Sequence, residues 1–110
     1  MARLSLAYRD LEEVPTAIAQ KYAPAAVDLD LSHNALRSLS SVQSFGQLRT
    51  LVLDNNELHS HVQWPYFPHL ETLWINHNLI SNLPLFIDKV ATAYPKLREL
   101  RCSARPAAER

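Results

Sequence analysis

The chain has 110 residues, 47% hydrophobic and 20% charged, with eleven basic and eleven acidic side chains. That length suits one small domain and no second, and a net charge near zero gives no electrostatic footprint for a phosphate backbone or an anionic lipid surface. A single glycine, Gly46, and a single cysteine, Cys102, exclude a phosphate-cradling loop, a dinucleotide fingerprint, an internal disulfide and a multi-cysteine zinc site.

The first ten residues contain no long apolar run, so no secretory leader is expected. Nowhere do enough apolar residues follow one another to span a bilayer. With one lone cysteine, the chain reads as cytoplasmic. Leu4 and Leu6 open a short alternating segment. Pro15 and Thr16–Tyr22 then suit a short helix, with the proline in its first turn. Leu29 and Leu31 alternate with Asp28 and Asp30, the period of a strand with one face buried and one wet. Gly46 is expected to let the chain turn into the next strand, which carries Leu51 and Leu53. Trp64-Pro65-Tyr66-Phe67-Pro68 reads as an extended or turning segment packed by its own aromatics, or else as a second contact patch. A third strand carries Leu73 and Ile75. Leu85 to Ala93 suits a helix after Pro84, ended by Tyr94-Pro95. Leu97, Leu100 and Cys102 begin a last strand, in which Cys102 is expected to be buried and inert.

Leucine occurs 18 times, and its spacing is not random. Asn34, Asn56 and Asn78 lie 22 residues apart. Aligned on them, Ala26-x-x-Leu29-x-Leu31-x-x-Asn34-x-Leu36 matches Leu48-x-x-Leu51-x-Leu53-x-x-Asn56-x-Leu58 and Leu70-x-x-Leu73-x-Ile75-x-x-Asn78-x-Ile80. Incomplete copies flank them at Leu4-x-Leu6-x-x-Arg9-x-Leu11 and Leu97-x-x-Leu100-x-Cys102. This register resembles the short intracellular class of leucine-rich repeats. One strand cannot bury its leucines alone, so the units must stack in parallel.

The expected fold is an α/β solenoid of about four or five coils, with a short parallel sheet on its concave face and irregular or short helical return arms. Residues 1–102 form the repeat domain: a half-repeat at 1–25, repeats at 26–47, 48–69 and 70–96, and a truncated repeat at 97–102. Residues 103–110 are a tail. Arg105 stands where the family has asparagine, so the chain reads as cut short, with fraying expected after about residue 100.

Function is sought on the concave face. Asn34, Asn56 and Asn78 are expected to be structural, since an amide both donates and accepts and can satisfy a buried turn. Three rows cross the strands: Arg3, Asp28, Thr50, Thr72 and Glu99; Ser5, Asp30, Val52, Trp74 and Arg101; Ala7, Ser32, Asp54, Asn76 and Ser103. Trp74 beside Val52 is an apolar contact that folding does not require, and tryptophan anchors many interfaces. Asp28, Asp30 and Asp54 favour a partner with Lys or Arg near its own apolar patch. Asp28, Asp30, Val52, Asp54, Trp74, Asn76 and Arg101 are therefore the candidate protein-binding residues.

His33 and His77, equivalent to Asn55, read as solvated turn residues. His59-x-His61, with His69 nearby, lacks a partner motif for metal, and Ser32, His33 and Asp54 lack an oxyanion-hole turn. No enzyme, cofactor or metal is expected. The reading is a monomeric, non-catalytic protein-interaction module, without direct nucleic-acid contact or membrane insertion. The resemblance implies pigment-cell (melanocyte) differentiation and melanosome-related trafficking, with a Rab-type small GTPase or a trafficking complex as partner. The alternatives are an RNA-processing protein acting through protein contacts, or a truncated chain without activity of its own.

Overall fold

The computed structural model describes residues 2–103. It is an α/β arrangement with one five-stranded parallel sheet: β1 (Ala2–Ser5), β2 (Ala26–Asp30), β3 (Thr50–Val52), β4 (Thr72–Trp74) and β5 (Glu99–Arg101). Each strand lies beside the next one in sequence, and the sheet stays open. Parallel neighbours require the chain to return to the starting edge after every strand. The return is made by α1 (Thr16–Tyr22) after β1, by loops and a 3-10 turn at Ser40–Val42 after β2, by an irregular arm after β3, and by α2 (Leu83–Ala93) after β4.

Leu4, Leu29, Leu51, Leu73 and Leu100 lie in one register across the five strands. The central three are fully buried, as are Leu31, Leu53 and Ile75 two residues further on. The two terminal members, Leu4 and Leu100, are only partly buried, because each has a neighbour on one side.

A second column was not anticipated. Phe45, Phe67 and Tyr94 each stand three residues before the leucine that opens the following strand segment, and all are buried. Phe67 and Tyr94 stack, with ring centroids 5.8 Å apart and planes 8° from parallel. Trp64 meets Phe86 edge-on at 5.3 Å. The aromatic–proline arm thus buries Trp64 and Phe67 and leaves Tyr66 exposed.

Several local expectations need correction. Pro15 is the N-cap of α1 rather than a first-turn residue. α2 starts two residues early: Asn82 caps it by accepting the Leu85 N–H at 3.1 Å, which places Pro84 within the first turn. Gly46 does not have positive φ, and a Cβ there would meet nothing within 4 Å, so the turn does not need glycine. The left-handed residues are Tyr8, Asp10, His33, Asn55 and His77. Four of these occupy one equivalent turn position, where asparagine and histidine are better tolerated than most residues. Cys102 is half-buried rather than buried, and burial pushes its thiol up. Sheet pairing continues past residue 100, with Ser103 accepting the His77 N–H at 2.8 Å. Arg105 and the rest of 104–110 lie outside the described residues.

The Tyr94 hydroxyl is buried without a hydrogen-bond partner. The equivalent positions in the two preceding units carry phenylalanine, so Tyr94→Phe removes an unsatisfied polar group at no cost in shape. It is expected to stabilise the fold by about 1 kcal/mol, measured by urea unfolding. Burial also raises the phenol's pKa. Above the ordinary tyrosine value near 10 the unfolded chain therefore releases a proton that the folded chain retains. Stability from this group is intact below that pH and declines as pH rises, and Tyr94→Phe should lack this share of the alkaline loss.

Candidate functional site

Because the leucines point inward, the alternate residues of every strand face the open side of the sheet. The pairing register brings together the residues expected there. Arg3, Asp28, Thr50, Thr72 and Glu99 form one row, and Ser5, Asp30, Val52, Trp74 and Arg101 the next. The third row follows the strands' ends, where His33 N–H reaches the Asp54 carbonyl and Asn55 N–H reaches the Asn76 carbonyl. Arg3, Asp28, Asp30, Thr50, Val52 and Trp74 line a groove of about 600 Å³ on this face. Asp54, Asn76 and Arg101 lie outside that lining.

Trp74 is half-buried, and it is held in place. Its indole N–H donates to Glu99 Oε2 at 2.7 Å, and the Arg101 guanidinium lies 4.4 Å from the ring centroid. Arg101 in turn pairs with the same carboxylate oxygen at 2.9 Å. The ring is thus covered in part by its β5 neighbours, while it still lines the groove. Such pinning lowers the entropy that a partner must otherwise remove on binding.

The acidic residues differ in their surroundings. Asp28 pairs with Arg3 at 3.4 Å. Asp30 Oδ1 accepts the Ser32 N–H at 2.9 Å, and Asp54 Oδ1 accepts the Asn76 N–H at 2.7 Å. Neither Asp30 nor Asp54 has a cation within salt-bridge distance among the described residues. The middle of the face is therefore net acidic, while its two ends carry the compensated pairs Arg3–Asp28 and Arg101–Glu99.

The comparisons with known proteins can be set beside this geometry. The chain is similar to the human leucine-rich melanocyte differentiation-associated protein, at 39% identity over 64 residues. The match covers 58% of this chain and 32% of the relative, so it spans about a third of the relative's length. No family model matches the chain. No solved structure matches it either.

The three asparagines sit at the turn beyond the strands. Asn34 Oδ1 accepts from the Arg9 and Leu11 N–H groups, and its Nδ2 donates to the Leu6 and Leu31 carbonyls, both at 3.0 Å. Asn56 Oδ1 accepts from Leu36 N–H at 3.0 Å, and its Nδ2 donates to the Leu31 and Leu53 carbonyls. Asn78 Oδ1 accepts from Leu58 N–H, and its Nδ2 donates to Leu53 and Asn76. Each amide thus ties its own turn to the preceding one, and the Leu31 and Leu53 carbonyls each receive two amides.

The rim beside them consists of the left-handed residues. Tyr8 stacks on His33 with centroids 4.2 Å apart, and the His33 and Asn55 side chains approach to 3.5 Å. The Ser32, His33 and Asp54 side chains share no hydrogen bond, since Asp54 holds Asn76 and His33 lies on Tyr8. His59 Nδ1 accepts the His61 N–H at 3.1 Å. Among the described residues no group of three His, Cys, Asp or Glu side chains could hold a metal ion. No described helix is long and apolar enough to cross a membrane. Glu99 escaped the sequence reading as a functional residue. Its role depends on β5 lying beside Trp74, a pairing that the register implies but that no single segment displays.

Proposed function

We propose that the chain is a non-catalytic, cytoplasmic protein-interaction module built as a leucine-rich-repeat solenoid. Its concave face binds another protein through Asp28, Asp30, Val52, Asp54, Trp74, Asn76 and Arg101. Trp74 is the observation that carries this reading: a large aromatic side chain, fixed by Glu99 and Arg101, borders an open groove on the wet face of the sheet. Pinned aromatics at the centre of a face supply most of the affinity at many interfaces. Asp30 and Asp54 select a partner with a basic side chain next to an apolar one. The relative's name supports a setting in melanocyte differentiation. A Rab-type small GTPase, or the trafficking complex that carries one, is the partner we assign.

Titration calorimetry with purified Rab-type small GTPases in their triphosphate form tests this. Trp74→Glu is expected to weaken binding by about thirtyfold, in line with loss of a central anchor. Gln43→Glu, on an exposed arm position, should leave it unchanged. Both variants must melt as cooperatively as the wild type. Equal binding by Trp74→Glu and wild type would remove the concave face from consideration.

A further inference from the structure

The end of the molecule beyond β5 differs from its middle. Arg101 C=O accepts the Ile75 N–H at 2.7 Å, and Glu99 N–H donates to Glu71 C=O at 3.0 Å, so both residues direct their backbone toward β4. Strand alternation then turns the N–H and C=O of the intervening Leu100 to the outer side. Among the described residues no strand pairs with that side. Leu97, Leu100 and Cys102 are only partly buried, whereas their equivalents one unit earlier, Leu70, Leu73 and Ile75, are fully buried.

α2 adds to the same end. Its Lys89 reaches back to the Val62 carbonyl at 3.4 Å, and its Phe86 packs on Trp64. These contacts mark the side that meets the preceding arm. Leu83 and Ile87 lie roughly 120–160° around the helix from Lys89, on the side turned away from that arm. They are 53% and 42% exposed. An open ladder edge and an apolar helix flank therefore form one continuous end face.

The charge pattern on β5 identifies what fits that face. Glu99 and Arg101 flank Leu100 on the open side of the sheet. We propose that a second copy of this chain docks here, its β5 antiparallel to the first and centred on Leu100. The two Leu100 residues then exchange both backbone hydrogen bonds. Each Glu99 stands opposite the second copy's Arg101, twice over by symmetry. Sliding the pair by two residues either way sets Glu99 against Glu99 or Arg101 against Arg101, and like charges directly opposite are destabilising. The sequence of β5 is self-complementary in one antiparallel register only. This surface is separate from the groove at Val52 and Trp74, although Arg101 borders both.

Sedimentation velocity of the full chain under reducing conditions, across roughly a hundredfold range of concentration, reads out the association. The wild type should show a reversible, concentration-dependent dimer. Glu99→Arg alone and Arg101→Glu alone should each weaken it by about tenfold, because like charges then face each other twice. An equimolar mixture of the two variants should restore dimers, since each Arg then meets a Glu across the axis. Circular dichroism must show that both variants melt cooperatively. A wild type that stays monomeric throughout overturns the proposal. So do single variants that associate as tightly as wild type, or a mixture no better than its components.

Discussion

Asn56→Ala is expected to destabilise the fold by about 3 kcal/mol, more than most surface or cap substitutions. Asn56 is fully buried. Its loss leaves the Leu36 N–H without its acceptor and removes a donor from both the Leu31 and Leu53 carbonyls. Water cannot replace these partners, because Leu31, Leu36 and Leu53 are all fully buried. The substitution also cuts a chain of connections. Leu31 C=O joins Asn34 to Asn56, and Leu53 C=O joins Asn56 to Asn78, so the central amide couples two junctions at once. Asn34→Ala should cost less, since Asn34 and its partner Arg9 are partly open to water. Asn56→Asp separates hydrogen-bond loss from loss of shape. Its carboxylate can accept from Leu36 N–H but must face two carbonyl oxygens. At neutral pH it should be at least as damaging as alanine, and it should recover in part at acid pH, when a protonated carboxyl can donate again. Urea unfolding of the three variants measures this. Equal, small losses for Asn34→Ala and Asn56→Ala would show that the amides do not couple the turns.

The parts of this architecture legible in the sequence are those with a local period. Leu29, Leu51 and Leu73 recur every 22 residues, and the register of β2, β3 and β4 follows from that spacing alone. The short helix at Thr16–Tyr22 is equally local. Features that depend on neighbouring units were harder to read. The column Phe45, Phe67 and Tyr94 has the same periodicity, but phenylalanine and tyrosine differ in letter and the third arm is longer, which hides the match. The left-handed turn position is filled by tyrosine, histidine, asparagine and histidine in turn. Its signal is a backbone angle, which several residue types can meet. Glycine misled for the converse reason: Gly46 suggested a conformational need, and the backbone there has none. At the candidate site, sequence placed Trp74 beside Val52 and the aspartates on the same face. It did not reveal that Glu99 and Arg101 clasp the indole, because that depends on side-chain reach across two strands.

Leu51→Ala is the second substitution with a large expected effect, about 4 kcal/mol. Leu51 is the central member of the leucine row, with Leu29 beside it on one strand and Leu73 on the other. β3 is paired on both sides, so its backbone cannot move inward to fill the space that the lost side-chain atoms leave. The cavity therefore persists, and the cost approaches the upper part of the usual range for buried leucines. Leu100→Ala provides the contrast. Leu100 is partly exposed and has a strand on one side only, so its truncation removes less buried area, and about 1 kcal/mol is expected. The ratio of the two carries the argument. If stability is shared between neighbouring units, a central defect weakens two junctions and a terminal one weakens at most one. Comparable losses for Leu51→Ala and Leu100→Ala, measured by urea unfolding of dilute protein, would mean that the end of the sheet is as well packed as its centre. In that case the β5 edge would not be free to accept a second copy. A loss at Leu100 that grows with protein concentration would instead indicate that the residue is buried by association.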